Sequence, residues 1–160
     1  MDFSIPKRAQ EFLPLVEAFV REKLQPIELS VLHDGFNASL SKLSELRNEV
    51  KEMGLWAPHL PTELGGMGLP LVEHGIMSEA LGHSALGHYV FGCPAPDAGN
   101  MEILHKFGTD QQKAQWLGPL AAGEIRSCFS MTEPENAGSN PTRMSCTAVL
   151  DGDEWVVNGH

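Results

Sequence analysis

An α+β fold, mainly helical and running at its C-terminal end into the first strands of a β domain, is what this 160-residue sequence predicts. Three observations carry it. Up to about residue 120, apolar residues recur at helical spacing, as in helices that each bury one face. Between Arg143 and Asp151 the period changes to two, with Met144, Cys146, Ala148 and Leu150 alternating against Ser145, Thr147 and Val149. The third is the ending, Asn158-Gly159-His160, a turn signal directly after a strand-like run and with no partner strand following. Residues 1–126 are therefore expected to form a helical N-terminal domain, and residues 127–160 the start of a truncated β domain.

In chain order, Ser4 and Pro6 offer a helix start, and Phe12, Leu13, Val16, Phe19, Val20 and Leu24 share a face until Pro26 interrupts the pattern. Pro14 either lies near the true start of the regular helix or kinks it. Ser39 or Ser41 can cap a second helix, on which Leu43, Leu46, Val50 and Met53 face inward and which Gly54 stops in a left-handed conformation. The segment from Leu55 to Pro70 is a Gly- and Pro-punctuated loop whose large apolar residues should pack down. Val72, Ile76, Met77, Ala80 and Leu81 make the next face, with Gly75 and Gly82 allowing a close helix neighbour. Asp97 after Pro96 can cap a helix that turns Met101, Leu104 and Phe107 inward before Gly108. Thr109 with Gln112 is a capping box for the helix carrying Trp116 and Leu117. Ile125 to Met131 then reads as a short apolar strand, Asp151-Gly152 as a hairpin signal, and Glu154 to Val157 as the returning strand. About three strands cannot close on themselves, so an unpaired edge is expected.

Composition narrows the function. With 11 Lys+Arg against 21 Asp+Glu the formal charge is -10, which disfavours nucleic acid and anionic lipid as partners but is silent about a phosphate held by local backbone N–H groups. The three cysteines, Cys93, Cys128 and Cys146, are odd in number and widely spaced, pointing to a reducing compartment: cytoplasm in a bacterium, mitochondrion or peroxisome in a eukaryote. No signal pattern or membrane-length apolar run is present in these 160 residues.

The seven histidines show no metal-ligand spacing, and a metal site is not expected. Gly65-Gly66-x-Gly68 lacks the Lys-Ser/Thr of a phosphate loop and reads as a tight turn. Ser127, Ser130 and Ser139 lack a nucleophile elbow. Glu133 and Glu135 flank Pro134 without a second partner and read as surface or backbone-capping carboxylates. What stands out is the run from Phe129 to Asn140. Phe129 and Met131 would project on one side of a strand, suited to a planar apolar ring; Thr132 offers a hydroxyl to ring heteroatoms; Ala137-Gly138-Ser139 is small enough for a diphosphate to approach its backbone. A buried strand with an ordinary turn explains the same letters about as well.

Gly108-Thr109-Asp110-Gln111-Gln112-Lys113, Trp116-Leu117-Gly118-Pro119-Leu120, Gly123-Glu124, Met131-Thr132-Glu133-Pro134 with Ala137-Gly138-Ser139, and Asp151 to Gly159 stand in an order and spacing that resembles the acyl-CoA dehydrogenases. The run Cys93 to Glu102 is similar to the branch that includes members 10 and 11. The resemblance implies a helical N-terminal domain, a middle β domain and a C-terminal helical bundle, with FAD held between the last two and across a subunit interface. It places Phe129, Met131 and Thr132 against the flavin ring, and Ser139 at the FAD pyrophosphate and near the thioester substrate. It further implies α,β-desaturation of acyl-CoA, electron-transfer flavoprotein as acceptor and a homo-oligomer. The family's catalytic carboxylate belongs to the C-terminal bundle, so no catalytic residue is assigned here and the 160 residues are expected to be inactive alone. The turn 135–139 is one residue longer than in the commonest medium- and short-chain members, and Asn140 stands where many have Asp. The rival expectation is a non-catalytic interaction module that pairs with full-length dehydrogenase subunits.

Overall fold

The protein is described by a computed structural model covering residues 4–138 and 140–160. It divides into two compact units, Met1–Ser127 and Cys128–His160.

The first unit is helical. Helix α1 (Lys7–Phe19) buries Ala9, Phe12, Val16 and Phe19 and runs through Pro14. Pro14 and Gln10, whose carbonyl loses its helical partner, are both exposed, a position where solvent can reach that oxygen. Pro26 does not end the rod as predicted. A wide π-type turn, Val20–Leu24, hands the chain to α2 (Gln25–Asp34), where Pro26 occupies the second position and no N–H is required. Glu28 of α2 accepts hydrogen bonds from Ser84 Oγ and Ala85 N, both at 2.6 Å, which fastens the helix to a distant loop.

Helix α3 (Leu40–Glu52) buries Leu43, Leu46 and Val50, and Gly54 follows at φ +70°, the left-handed stop expected. Ser39 holds the N-cap position, yet its hydroxyl donates to Gly35 O at 3.3 Å instead of accepting from the helix. The loop after α3 does pack down: Leu55, Trp56, Leu60 and Leu69 are buried. A Cβ on Gly66 would lie 2.2 Å from Leu60 O, so glycine is required by close backbone approach.

Helix α4 (Leu71–Leu81) turns Met77, Ala80 and Leu81 inward, but Val72 is 68 % exposed because the first turn projects beyond the core. Nothing lies within 4 Å of a Cβ built on Gly75, so the predicted close neighbour there is absent among the described residues. After α5 (Gly87–Val90), helix α6 (Asp97–Phe107) buries Met101, half-buries Leu104 and leaves Phe107 80 % exposed in its last turn. The Thr109 capping box forms in full, opening α7 (Asp110–Gln112); a second wide turn, Lys113–Leu117, leads to α8 (Gly118–Ala122). Phe19 of α1 meets Phe91 edge-on at 5.4 Å in the core, and Trp56 Nε1 donates to Ala121 O at 2.8 Å.

The second unit holds an antiparallel pair, β1 (Thr147–Asp151) and β2 (Glu154–Asn158), in register from Thr147 opposite Asn158 to Asp151 opposite Glu154. Gly152 begins the two-residue turn at φ +62°. Both faces of the hairpin are exposed. The strand predicted at Ile125 to Met131 does not form: that run has no ladder partner among the described residues, and apolar letters supply a backbone preference, not a neighbour. No helix among the described residues is long and apolar enough to cross a membrane.

Candidate functional site

Hydrogen bonds flank the segment predicted as the site, one set within each unit. At its start, the first turn of α6 presents Asp97 and Asn100, three residues apart and so on one helix face. Asp97, 4 % exposed, accepts from Ser127 N at 2.8 Å and Ser127 Oγ at 2.6 Å through Oδ1, and from Arg126 Nε through Oδ2. Asn100 Nδ2 donates to Ser127 Oγ at 2.8 Å. The Arg126 guanidinium lies 5.0 Å from the Tyr89 ring centre, which Arg47 also covers at 4.6 Å. Sequence reasoning assigned Asp97 to capping its own helix and gave Arg126 no role. The structure instead spends this carboxylate on a segment 30 residues on, a pairing that no local spacing announces.

From Cys128 to Thr132 the chain forms neither helix nor strand and is exposed, with Phe129 59 % and Met131 41 % accessible. Glu133 closes the run. It is 7 % exposed, with Oε1 accepting from Cys146 N at 2.6 Å and Oε2 from Ser145 N at 2.6 Å and from Asn136 Nδ2. Those backbone donors hold its carboxyl below the usual carboxylate range. Of the two roles weighed for Glu133, backbone capping is the one the structure shows.

The turn after Pro134 folds back on Thr132. A Cβ on Gly138 would stand 2.8 Å from Thr132 Cγ2 and 2.9 Å from Oγ1, so the threonine packs directly on the turn and only glycine fits. Asn140 N donates to Ala137 O at 2.9 Å, and Asn140 Oδ1 accepts from Thr142 N and Oγ1, closing the next short turn. Ser139, expected at the pyrophosphate and substrate, lies outside the described residues. Thr132 thus packs against the Gly138 backbone, and exposed Phe129 and Met131 lie near it in sequence.

Two further features belong to the helical unit. An apolar groove of about 600 Å³ is lined by Asn100, Ile103, Leu104, Trp116, Ile125 and Ser127, among others. Elsewhere His59 stacks on His74 with ring centres 5.8 Å apart, and burial pushes His59 down to about 4, aided by the neighbouring His74. Both ring nitrogens of His59 are buried without a hydrogen-bond partner among the described residues.

Residues 6–124 match the family described as acyl-CoA dehydrogenase, N-terminal domain. The chain is 37% identical over 161 residues to acyl-CoA dehydrogenase family member 11 of Gallus gallus, an alignment that takes in 96% of this chain and 20% of that protein. Among solved structures it is similar to a Mycobacterium abscessus protein assigned as an acyl-CoA dehydrogenase, at 40% identity and a TM-score of 0.88, covering 98% of this chain and 42% of the other. It is also similar to a glutaryl-CoA dehydrogenase from Mycobacterium smegmatis in complex with FADH2, at 27% identity and a TM-score of 0.66, covering 97% and 38%. The chain thus spans about a fifth of the curated relative and about two fifths of the solved ones.

Proposed function

Because the chain belongs to the acyl-CoA dehydrogenase family, through that family's N-terminal domain, we propose that it supplies the helical domain, residues 1–126, and the opening of the middle β domain, residues 127–160, of an FAD-dependent enzyme that desaturates acyl-CoA thioesters between the α and β carbons. The observation that carries the flavin part is the close packing of Thr132 on the Gly138 backbone, next to exposed Phe129 and Met131.

Bound FAD supplies the hydride acceptor that desaturation needs. The chain's own residues bind and orient. Phe129 and Met131 offer apolar surface to one face of the ring. The Thr132 hydroxyl donates to a ring heteroatom, and Gly138 lets the backbone approach. Ser139 reaches the pyrophosphate and lies near the thioester. The apolar groove between α6 and the run from Trp116 to Leu120, lined by Ile103, Leu104 and Trp116, suits an acyl chain, and Asn100 and Ser127 give it a polar end. We assign removal of the α-proton to no residue of this chain. Glu133 is unsuited to it, since both its oxygens are engaged by backbone N–H groups. The 160 residues alone are therefore expected to desaturate no acyl-CoA, and the whole enzyme is proposed to be a homo-oligomer that passes electrons to electron-transfer flavoprotein.

The test joins this chain to the remainder of the Mycobacterium abscessus relative in place of that protein's own first segment. The chimera should purify with visible flavin absorbance, and Thr132→Ala should weaken flavin retention about three- to tenfold, the worth of one hydrogen bond. Retention unchanged by Thr132→Ala, or a colourless chimera, counts against the reading.

A second reading, an interaction module that pairs with full-length dehydrogenase subunits, is favoured by the hairpin, where Val149, Leu150, Trp155, Val156 and Val157 are all exposed. Co-purification of the 160-residue chain with a full-length subunit at fixed stoichiometry supports it; a persistent soluble monomer does not.

A further inference from the structure

The run from Cys128 to Thr132 makes no ladder, and no backbone N–H of these residues is among the hydrogen bonds described. A segment of this kind keeps a defined course only through what happens at its ends, since each free residue regains roughly 1–2 kcal/mol of backbone entropy. Here each end meets a carboxylate that is almost fully buried. Before the segment, Asp97 takes the peptide N–H and hydroxyl of Ser127 on one oxygen and the Arg126 guanidinium on the other. After it, Glu133 takes Cys146 N on one oxygen and Ser145 N with Asn136 Nδ2 on the other. Each carboxylate uses both oxygens as acceptors and faces only donors. Charge-assisted bonds of this kind are about twice as strong as neutral ones, and an amide in either place turns one acceptor into a donor aimed at another donor.

We propose that Asp97 and Glu133 are positioning residues for the flavin-contacting segment, each holding one end of it: Asp97 through Ser127 and Arg126, Glu133 through the backbone of Ser145 and Cys146. This rests on the flavin reading of residues 129–132. Neither carboxylate touches the flavin. Each removes freedom from Phe129, Met131 and Thr132 before any ligand arrives, which lowers the ordering cost that binding would otherwise carry.

The test uses the 160-residue chain and NMR. Asp97→Asn should speed exchange of the Ser127 amide about tenfold, and Glu133→Gln should do the same at Ser145 and Cys146. In both variants the Met131 methyl should lose order. Amides of α1, α3 and α4 should keep their wild-type protection, which a general loss of fold would not allow. An unchanged Met131 methyl in both variants overturns the proposal, as does faster exchange spread evenly over the helical unit. If Asp97→Asn does not fold, Ser127→Ala removes one partner of Asp97 and leaves the carboxylate with Arg126, and Glu133→Gln tests the other end within the second unit. In the chimera described above, either carboxamide variant should weaken flavin retention. A chimera colourless even with both carboxylates intact overturns the flavin reading instead, because the exchange and methyl measurements are made without flavin.

Discussion

Gly138 is the residue at which the site is least forgiving, since the space a side chain needs is already filled by Thr132 Cγ2 and Oγ1. Gly138→Ala must push the turn or the threonine aside at a cost of about 1–3 kcal/mol. Flavin retention by the chimera should fall about tenfold or more, with Ser130→Ala as the neutral control; equal retention in the two variants would show that the Thr132–Gly138 contact is not used. His59 predicts a pH effect of definite sign. Its folded value of about 4 lies below the ordinary 6.5, so its contribution is fully present above 6.5 and is lost as acid forces a proton onto the ring. His74 adds to the cost of that proton and Glu102 eases it. Between about pH 7 and about pH 4.5 the helical unit should lose on the order of 2 kcal/mol through this group, discounted for the partly exposed ring. Denaturant midpoints at the two pH values, compared with His59→Asn, measure it. Glu133 acts in the same direction, because its lowered value makes stability fall as its carboxylate is protonated, but its effect belongs to the second unit.

Elements test how local sequence sets the fold. Thr109 Oγ1 accepts from Gln112 N at 3.2 Å while Gln112 Oε1 accepts from Thr109 N at 2.9 Å. Thr109→Ala should cost about 1 kcal/mol and lower the melting temperature by about 4 °C, measured by circular dichroism. Gly123 ends α8 at φ +72°, and a Cβ there would stand 2.7 Å from the Trp56 ring and closer still to Arg47. Gly123→Ala should cost about 2–3 kcal/mol, well above the capping loss, because backbone strain and overpacking add. These two devices differ in how far the sequence announced them. A capping box is written in four adjacent letters, and so was legible. That Gly123 also faces Trp56 and Arg47 depends on chain 67 and 76 positions earlier, and nothing local encodes it. The same contrast separates Gly54, read correctly as a left-handed stop, from Val72 and Phe107, whose helical spacing was right but which lie in terminal turns that extend past the core. Periodicity gives the face of a helix, not how much of its length is covered. In the site, the Thr132 hydroxyl and the small Gly138 turn were legible as letters, though not their packing on one another. Asp97, tied to Ser127 across 30 residues, was not, because a carboxylate after a proline is equally well explained as a cap.

At the scale of the whole chain the two units differ in what holds them. Every buried apolar residue among those described, from Ala9 to Ala121, lies in the first unit, and the one buried residue of the second is Glu133, a charged group. Hydrophobic burial at about 25 cal/mol per Å² therefore stabilises the first unit and contributes little to the second. A two-stranded hairpin exposed on both faces is marginal in water, whatever its register. The cooperative unfolding transition should accordingly belong to residues 4–127 alone. A chain ending at Ser127 should melt within about 3 °C of the 160-residue protein, whereas Leu46→Ala, which opens a cavity in the helical core, should lower stability by about 2–5 kcal/mol in both. Amides of β1 and β2 should exchange well ahead of those of α3 and α4, which track global unfolding. A loss of more than about 8 °C on removing residues 128–160 would mean that the hairpin unit contributes to the core transition, since about 2 kcal/mol corresponds to that shift at this size.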